Sequence, residues 1–265
     1  MAQIHSFTKV NSNNIDGLIN YLVKNKIKHK IQFTSAKKVV TYSFKRQKYE
    51  AKGYLNSSIR KRDLHLIIKV KKHVETNQIE YNGYIPKIKY ITNYVPDKII
   101  NSKNYFEIDL NAAYWYFAHK NGFISEEIFK DGLNLKKFTK KARLMALGSL
   151  ATVHNTLEFN GKNYGELTTE INPTSPLFFK CAYDTSLLIQ KIQKLIGEDF
   201  LFFWVDAIFF KNEKNIKKII NFVELNGLKA KIKPIYKVIK NSETLEIYEA
   251  LDKKPKIYNF EKKKK

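Results

Sequence analysis

The longest apolar run of the chain, FLFFWVDAIFF (residues 200–210), contains a single charge, Asp206. Such a run has to be buried, and it is too short to span a bilayer, so it reads as a strand or tight hairpin inside a sheet. Unbroken alternation along it puts Asp206 on the same face as Trp204 and Ile208. A second acid is set in the same way. Tyr105–Leu110, YFEIDL, has the aromatic and β-branched content of a strand and carries Asp109 near its end. The segment NAAYWYFAHKNG that follows has the pattern of a short helix closed by Gly122. A buried carboxylate without compensation is costly. The ordinary compensators are a helix N-terminus or a lysine, and for Asp206 the exposure of a hairpin turn; the chemically active one is a metal ion. Two isolated acids meeting at the centre of one sheet could hold two divalent ions, the arrangement used for phosphoryl and nucleotidyl transfer. Magnesium needs few protein ligands there, because water and substrate phosphates complete its shell.

The rest of the composition narrows the substrate. The 265 residues are 43% hydrophobic and 14% aromatic, enough for a real core in one domain or two small ones. Against that core stand 48 Lys and Arg but only 25 Asp and Glu, a net charge of +23. A field of this sign attracts polyanions, nucleic acid first among them. An AT-rich genome would also enrich Lys, Asn, Ile, Tyr and Phe, but it does not explain a shortage of Glu, whose codons are AT-rich too. No segment forms the basic amphipathic helix that an anionic membrane surface would take, so no membrane partner is expected. The lone Cys181 excludes an intramolecular disulfide and a cysteine zinc site. MAQIHSFTKV has no basic-then-apolar leader, and the expectation is a soluble cytoplasmic protein.

Along the chain, NNIDGLINYLVKNK carries Ile15, Leu18, Ile19, Leu22 and Val23 on one helical stripe, with Asn14 as N-cap. KIQFTS, KVVTYSFK, HLIIKVKKHVE and QIEYNGYI read as strands. Basic and aromatic residues interleave in YSFKRQKYEAKGYLNSSIRKR, which suits either a surface that tracks a nucleic-acid backbone or an ordinary solvated face. YIPKIKYITNYVPDK is an extended connector. These residues, 1–100, form a small basic α+β region. From residue 101 a strand and a helix lead into a lysine-dense stretch (Lys136, Lys137, Lys140, Lys141, Arg143) and then ARLMALGSLATVHN, with helical spacing. A long helix follows, with Ser175 at its N-cap, Pro176 at its first helical position and Gly197 at its end. NIKKIINFVELNG is an amphipathic helix, and LKAKIKPIYKVI, TLEIYEAL and PKIYNF are strands.

Several of these segments, in this order, resemble the motifs of family B DNA polymerases, especially the protein-primed group of bacterial viruses. EIDLNAAYW resembles the first palm motif, an aspartate followed by small residues and a tyrosine. RLMALGSLAT resembles the second, on the fingers helix. FFWVDAIFF resembles the third, and Lys256-Ile257-Tyr258 the Lys-x-Tyr element. The resemblance covers residues 105–258. It implies an α+β fold: a palm-type antiparallel sheet backed by helices over 101–265, with reduced fingers at about 128–156. It implies Asp109 and Asp206 as catalytic metal ligands, with the Leu110 carbonyl as a third, holding Mg2+ or Mn2+. Tyr114 would lie under the incoming sugar and exclude a ribose 2′-hydroxyl. Arg143, with Lys140 and Lys141, would bind the triphosphate. Lys256 and Tyr258, with Lys136 and Lys137, would hold primer and DNA. The partners implied are DNA, deoxynucleoside triphosphates and a protein supplying a thumb or a priming hydroxyl.

The departures are specific. Trp204 replaces the first aspartate of the third motif. Leu147, Gly148, Leu150 and Ala151 replace the Asn-Ser and Tyr-Gly pairs of the second, and Trp115 stands where proline is usual. No Asp-x-Glu exonuclease motif precedes residue 105, so proofreading is not expected, and no length remains for a thumb. Two other readings compete. Glu107-Ile108-Asp109, Thr152-Val153-His154 and Val205-Asp206 match, in order, the short motifs of archaeo-eukaryotic-type primases. A non-catalytic DNA-binding replication protein on a decayed palm is the third.

Overall fold

The computed structural model describes residues 12–34, 37–54, 61–86, 105–240, 244–249 and 254–259. In chain order the first elements are α1 (Ser12–Lys24), β1 (His29–Phe33), β2 (Lys37–Phe44), β3 (Gln47–Tyr54) and α2 (Lys61–Thr76). Then come β4 (Tyr105–Leu110), α3 (Ala113–Lys120), α4 (Glu126–Leu133), α5 (Lys140–Gly148), β5 (Val153–Phe159) and β6 (Thr168–Ile171). The last are α6 (Ser175–Ile196), β7 (Phe200–Trp204), β8 (Ala207–Lys211), α7 (Lys214–Leu225), β9 (Ala230–Ile235), β10 (Lys237–Lys240), β11 (Thr244–Tyr248) and β12 (Lys256–Asn259). The class is α+β, and every strand pair among the described residues is antiparallel.

The chain divides into two units, and not at residue 100. Residues 123–178 belong with 1–82, and 83–122 with 179–265. The expected boundary fails because β5 pairs with β1, drawing the lysine-dense segment and α5 into the unit that begins the chain.

In the first unit the sheet order is β3-β2-β1-β5-β6. Ile15, Leu18 and Leu22 of α1 pack on Ile31, Val40, Tyr42 and Ala51. Burial of each large aliphatic side chain is worth about 1.5–3 kcal/mol, so this one face accounts for the placement of α1. A Cβ at Gly53 would stand 2.9 Å from the Ile15 side chain, and glycine is what lets the helix lie this close to β3. The stretch HLIIKVKKHVE is not a strand but the body of α2. Its β-branched content suggests a strand, yet Leu66, Ile67, Val70 and Val74 are buried at helical spacing and tertiary burial decides. QIEYNGYI likewise forms no strand. Buried Asp63, in the first turn of α2, accepts hydrogen bonds from the Thr139 N–H (3.0 Å) and the Thr139 hydroxyl (2.9 Å), fixing where α5 starts. Lys69 joins α2 to α4 through Glu127 (2.6 Å) and Asp131 (2.7 Å).

In the second unit a four-stranded sheet, β7-β8-β4-β9, carries a second sheet of β10-β11-β12 on one face. Their shared core is Tyr105, Leu201, Phe202, Phe209, Ile235, Val238, Leu245 and Ile247. Phe202 and Phe209 stack across β7 and β8 with centroids 4.2 Å apart. On the opposite face, Phe106 stacks on Phe210 at 5.6 Å and Ile108 opposes Ile208. The helix expected over NAAYWYFAHKNG is α3, and Gly122 follows it with a left-handed φ of 74°.

Candidate active site

Val205, with φ at 57°, and Asp206 form the two-residue turn of the β7–β8 hairpin, closed by the pair Trp204–Ala207. The turn breaks the alternation expected along FLFFWVDAIFF. Trp204 shares its face with Ala207, while Ile208 lies on the other with Phe203, so Asp206 belongs to the turn and to neither row. This tip abuts the end of β4. Asp109 pairs with Ala207, and the Leu110 N–H donates to the Asp206 carbonyl at 3.0 Å. The two acids the sequence singles out are therefore brought to adjacent positions at one end of the sheet, both half-buried. An extended residue presents its N–H and C=O to the same side, so the Leu110 carbonyl also faces the hairpin tip.

Cross-strand partners share a sheet face, which makes two rows legible. The upper row is Trp204, Ala207, Asp109 and Lys231, across β7, β8, β4 and β9. The lower row is Phe202, Phe209, Glu107 and Lys233. Glu107, 4% exposed, meets Lys233 at 3.2 Å and Lys256 at 3.4 Å; Glu249 meets the same two lysines at 3.7 and 2.6 Å. Lys256, expected from the Lys-x-Tyr resemblance, is thus tied to the strand that carries Asp109. Tyr258 lies on β12, its backbone paired with Leu245. The sequence reading passed over Lys231 and Lys233, although their period-two spacing on a strand was visible in LKAKIKP.

After β4 the chain turns sharply at Ala112, φ 56°, and enters α3. Tyr114, half-buried, is the second residue of that helix, while Trp115 (1% exposed) points into the core. The Tyr116 hydroxyl donates to the Asn226 carbonyl at 2.7 Å, and the Asn111 N–H to the Lys229 carbonyl at 2.8 Å. These two bonds tie α3 and the end of β4 to the segment leading into β9.

The expected phosphate and DNA residues of the lysine-dense segment lie in the first unit. Lys136 and Lys137 are exposed in the turn before α5, with Lys137 paired to Asp131 at 2.8 Å. Lys140 and Lys141 are exposed in the first turn of α5, whose N-cap Thr139 accepts from the Ala142 N–H at 3.2 Å. Arg143 is turned inward. It is 7% exposed and donates to the Gly132 carbonyl at 2.9 Å, and burial lowers its pKa below the usual arginine value. The helical stretch expected to run through His154 ends at Gly148, with a 3-10 turn over Ser149–Ala151. His154 is exposed on β5, opposite Glu170.

Two carboxylates and a main-chain carbonyl at the mouth of a sheet suit a hard divalent cation whose remaining ligands are water and phosphate. Among the described residues no group of three or more His, Cys, Asp and Glu gathers as a self-sufficient metal cage, and no helix is long and apolar enough to cross a membrane. The chain matches no family model, no curated protein and no solved structure.

Proposed function

We propose that the protein performs template-directed DNA synthesis, with the β7-β8-β4-β9 sheet as a minimal polymerase palm and Asp109 and Asp206 as the acids of its reaction centre. The observation that carries this reading is the Leu110 N–H to Asp206 carbonyl bond, which makes neighbours of two acids 97 positions apart in the sequence. Asp109, Asp206 and the Leu110 carbonyl would hold Mg2+ or Mn2+. Such ions, when bound, lower the pKa of a primer 3′-hydroxyl and neutralise the charge developing on the pyrophosphate leaving group. Tyr114, five residues past Asp109, would set the floor under the nucleotide sugar. In the first unit, Lys140 and Lys141 are exposed at the N-terminus of α5, where the backbone also favours an anion, and would attract phosphate groups. The high net positive charge supports a DNA partner.

Arg143 favours a second reading. Its guanidinium is spent on the Gly132 carbonyl, as expected of a palm that binds DNA without catalysis. The primase reading would need Glu107 and Asp109 to act together; strand alternation gives them one face, but both Glu107 oxygens already face lysines.

Primer extension on a primed template with Mg2+ tests the proposal. Asp109→Asn and Asp206→Asn should each abolish incorporation while leaving DNA affinity within about twofold, a difference of roughly 0.4 kcal/mol. Near-normal synthesis by either variant would remove both acids from the reaction. DNA binding without incorporation by the wild type would select the non-catalytic reading.

A further inference from the structure

The upper row of the sheet ends on a lysine that the proposed chemistry does not use. Lys231 is exposed and lies directly across from Asp109 on β9, the edge strand of its sheet. Lys229, also exposed, precedes it by two residues, and Lys233 follows by two. Lys231 and Lys233 share a face of β9 and stand about 6.6–6.8 Å apart, and Lys229 stands just before the strand, where the Asn111 N–H still reaches its carbonyl, so the three form a row of cations beside Asp109 and Glu107. The rail is not uniform. Lys233 is offset by Glu107 and Glu249, as is Lys256, whereas Lys229 and Lys231 enter no ion pair among the described residues. The uncompensated charge is therefore concentrated at the end of the sheet where Asp109 and Asp206 meet.

The Asn111 N–H to Lys229 carbonyl bond holds this end of the rail to β4. Two exposed lysines in succession, Lys229 before the edge strand and Lys231 on it, suit a ligand that is itself a row of anions. We propose that Lys229 and Lys231 grip the sugar–phosphate backbone of the DNA strand whose 3′ end is presented to Asp109 and Asp206. The inference rests on the nucleotidyl-transfer reading of that site and adds the direction from which the strand arrives: along β9. Lys233 and Lys256, neutralised by their glutamates, position the rail and do not contact phosphate.

The experiment compares Lys229→Ala/Lys231→Ala with wild type, with the arginine pair Lys229→Arg/Lys231→Arg, and with a control of equal charge loss, Lys217→Ala/Lys218→Ala, at two exposed lysines on α7. Anisotropy of a fluorescent primer–template duplex is read against salt, alongside single-nucleotide incorporation. Each lost phosphate contact lowers the log–log salt slope by about 0.9, so the alanine pair should lose roughly 1.8. It should also raise KM for primer–template about tenfold or more with a smaller change in kcat, and the arginine pair should restore both. An unchanged slope, or an equal loss in the control, overturns the rail. Incorporation by wild type with an unchanged slope defeats the rail alone. A reduced slope with no incorporation by wild type defeats the polymerase reading and leaves the rail as a nucleic-acid contact.

Discussion

Glu107 and Lys256 lie 149 positions apart in the sequence, and their side chains meet at 3.4 Å on the face of the sheet that carries Asp109. Glu107 is 4% exposed and its two carboxylate oxygens face Lys233 and Lys256. Glu107→Ala should therefore cost more than an exposed ion pair. It leaves two lysines beside Glu249 alone and removes charge-assisted hydrogen bonds worth about 1.5–3 kcal/mol. The expected result is a loss of that size in urea unfolding, with a smaller loss in Lys256→Ala because Lys256 is nearer to water. An equal or larger effect of Lys256→Ala would mean that Glu107 is not the centre of the network.

Gly227 offers a test of how β9 is held. Its φ is 80°, and a Cβ there would stand 2.3 Å from the Tyr116 hydroxyl oxygen. Gly227→Ala should destabilise by backbone strain of about 1–3 kcal/mol, with a further loss of about 1 kcal/mol as Tyr116 leaves the Asn226 carbonyl. Adding Tyr116→Phe removes the nearest clashing atom, so the double variant should recover part of the loss. If the two substitutions simply add, the clash is not the cause.

The same residues show what was legible in the sequence. The turn glycines Gly122 and Gly197 are local signals, and the structure ends α3 and α6 just before them; Ser175, expected as the cap of α6, is instead its first helical residue. Asp206 stood out as the single charge of an apolar run, and Asp109 as an acid near the end of a strand-like one. The face of Asp206 was not legible, because the left-handed turn at Val205 resets the alternation and no Gly or Asn marks it. Arg143 was assigned to the correct helix, but its direction depends on the Gly132 carbonyl of α4, a tertiary partner. Lys231 needed strand order as well as spacing, since only the β4–β9 register sets it opposite Asp109.

A pH dependence follows from Asp131. Hydrogen bonds from Lys137 first, and from Lys69, hold its carboxyl below the usual aspartate value, while Asp131 and then Glu127 raise Lys69. A depressed carboxylate contributes stability above its unfolded value of about 3.9 and loses it as pH falls through the folded value. A raised lysine contributes below about 10.4 and loses its share as pH rises through its folded value. Asp131→Asn should therefore lower Tm at pH 6–8, by a gap that closes as the pH falls below about 4. Thermal melts of both proteins from pH 3 to 8 check this, and a gap as wide at pH 3 as at pH 7 would assign the effect to packing instead of charge.

Tyr114 and His154 separate the two enzymatic readings. In the polymerase reading the Tyr114 ring, on the second residue of α3, leaves no volume for a ribose 2′-hydroxyl. Tyr114→Ala should then admit ribonucleotides while leaving Asp109 and Asp206 intact. A clash of a few kcal/mol, at about 1.4 kcal/mol per tenfold, gives roughly ten- to a thousandfold relaxation of sugar discrimination. His154 is exposed on β5 opposite Glu170, and His154→Ala should change neither rate nor selectivity by more than about twofold, some 0.4 kcal/mol. The primase reading reverses both expectations, because His154 would touch the nucleotide and Tyr114 would only pack. Incorporation of dNTPs and rNTPs by the two variants decides between them. Lost synthesis in His154→Ala, together with unchanged sugar selectivity in Tyr114→Ala, would transfer the site to the primase chemistry.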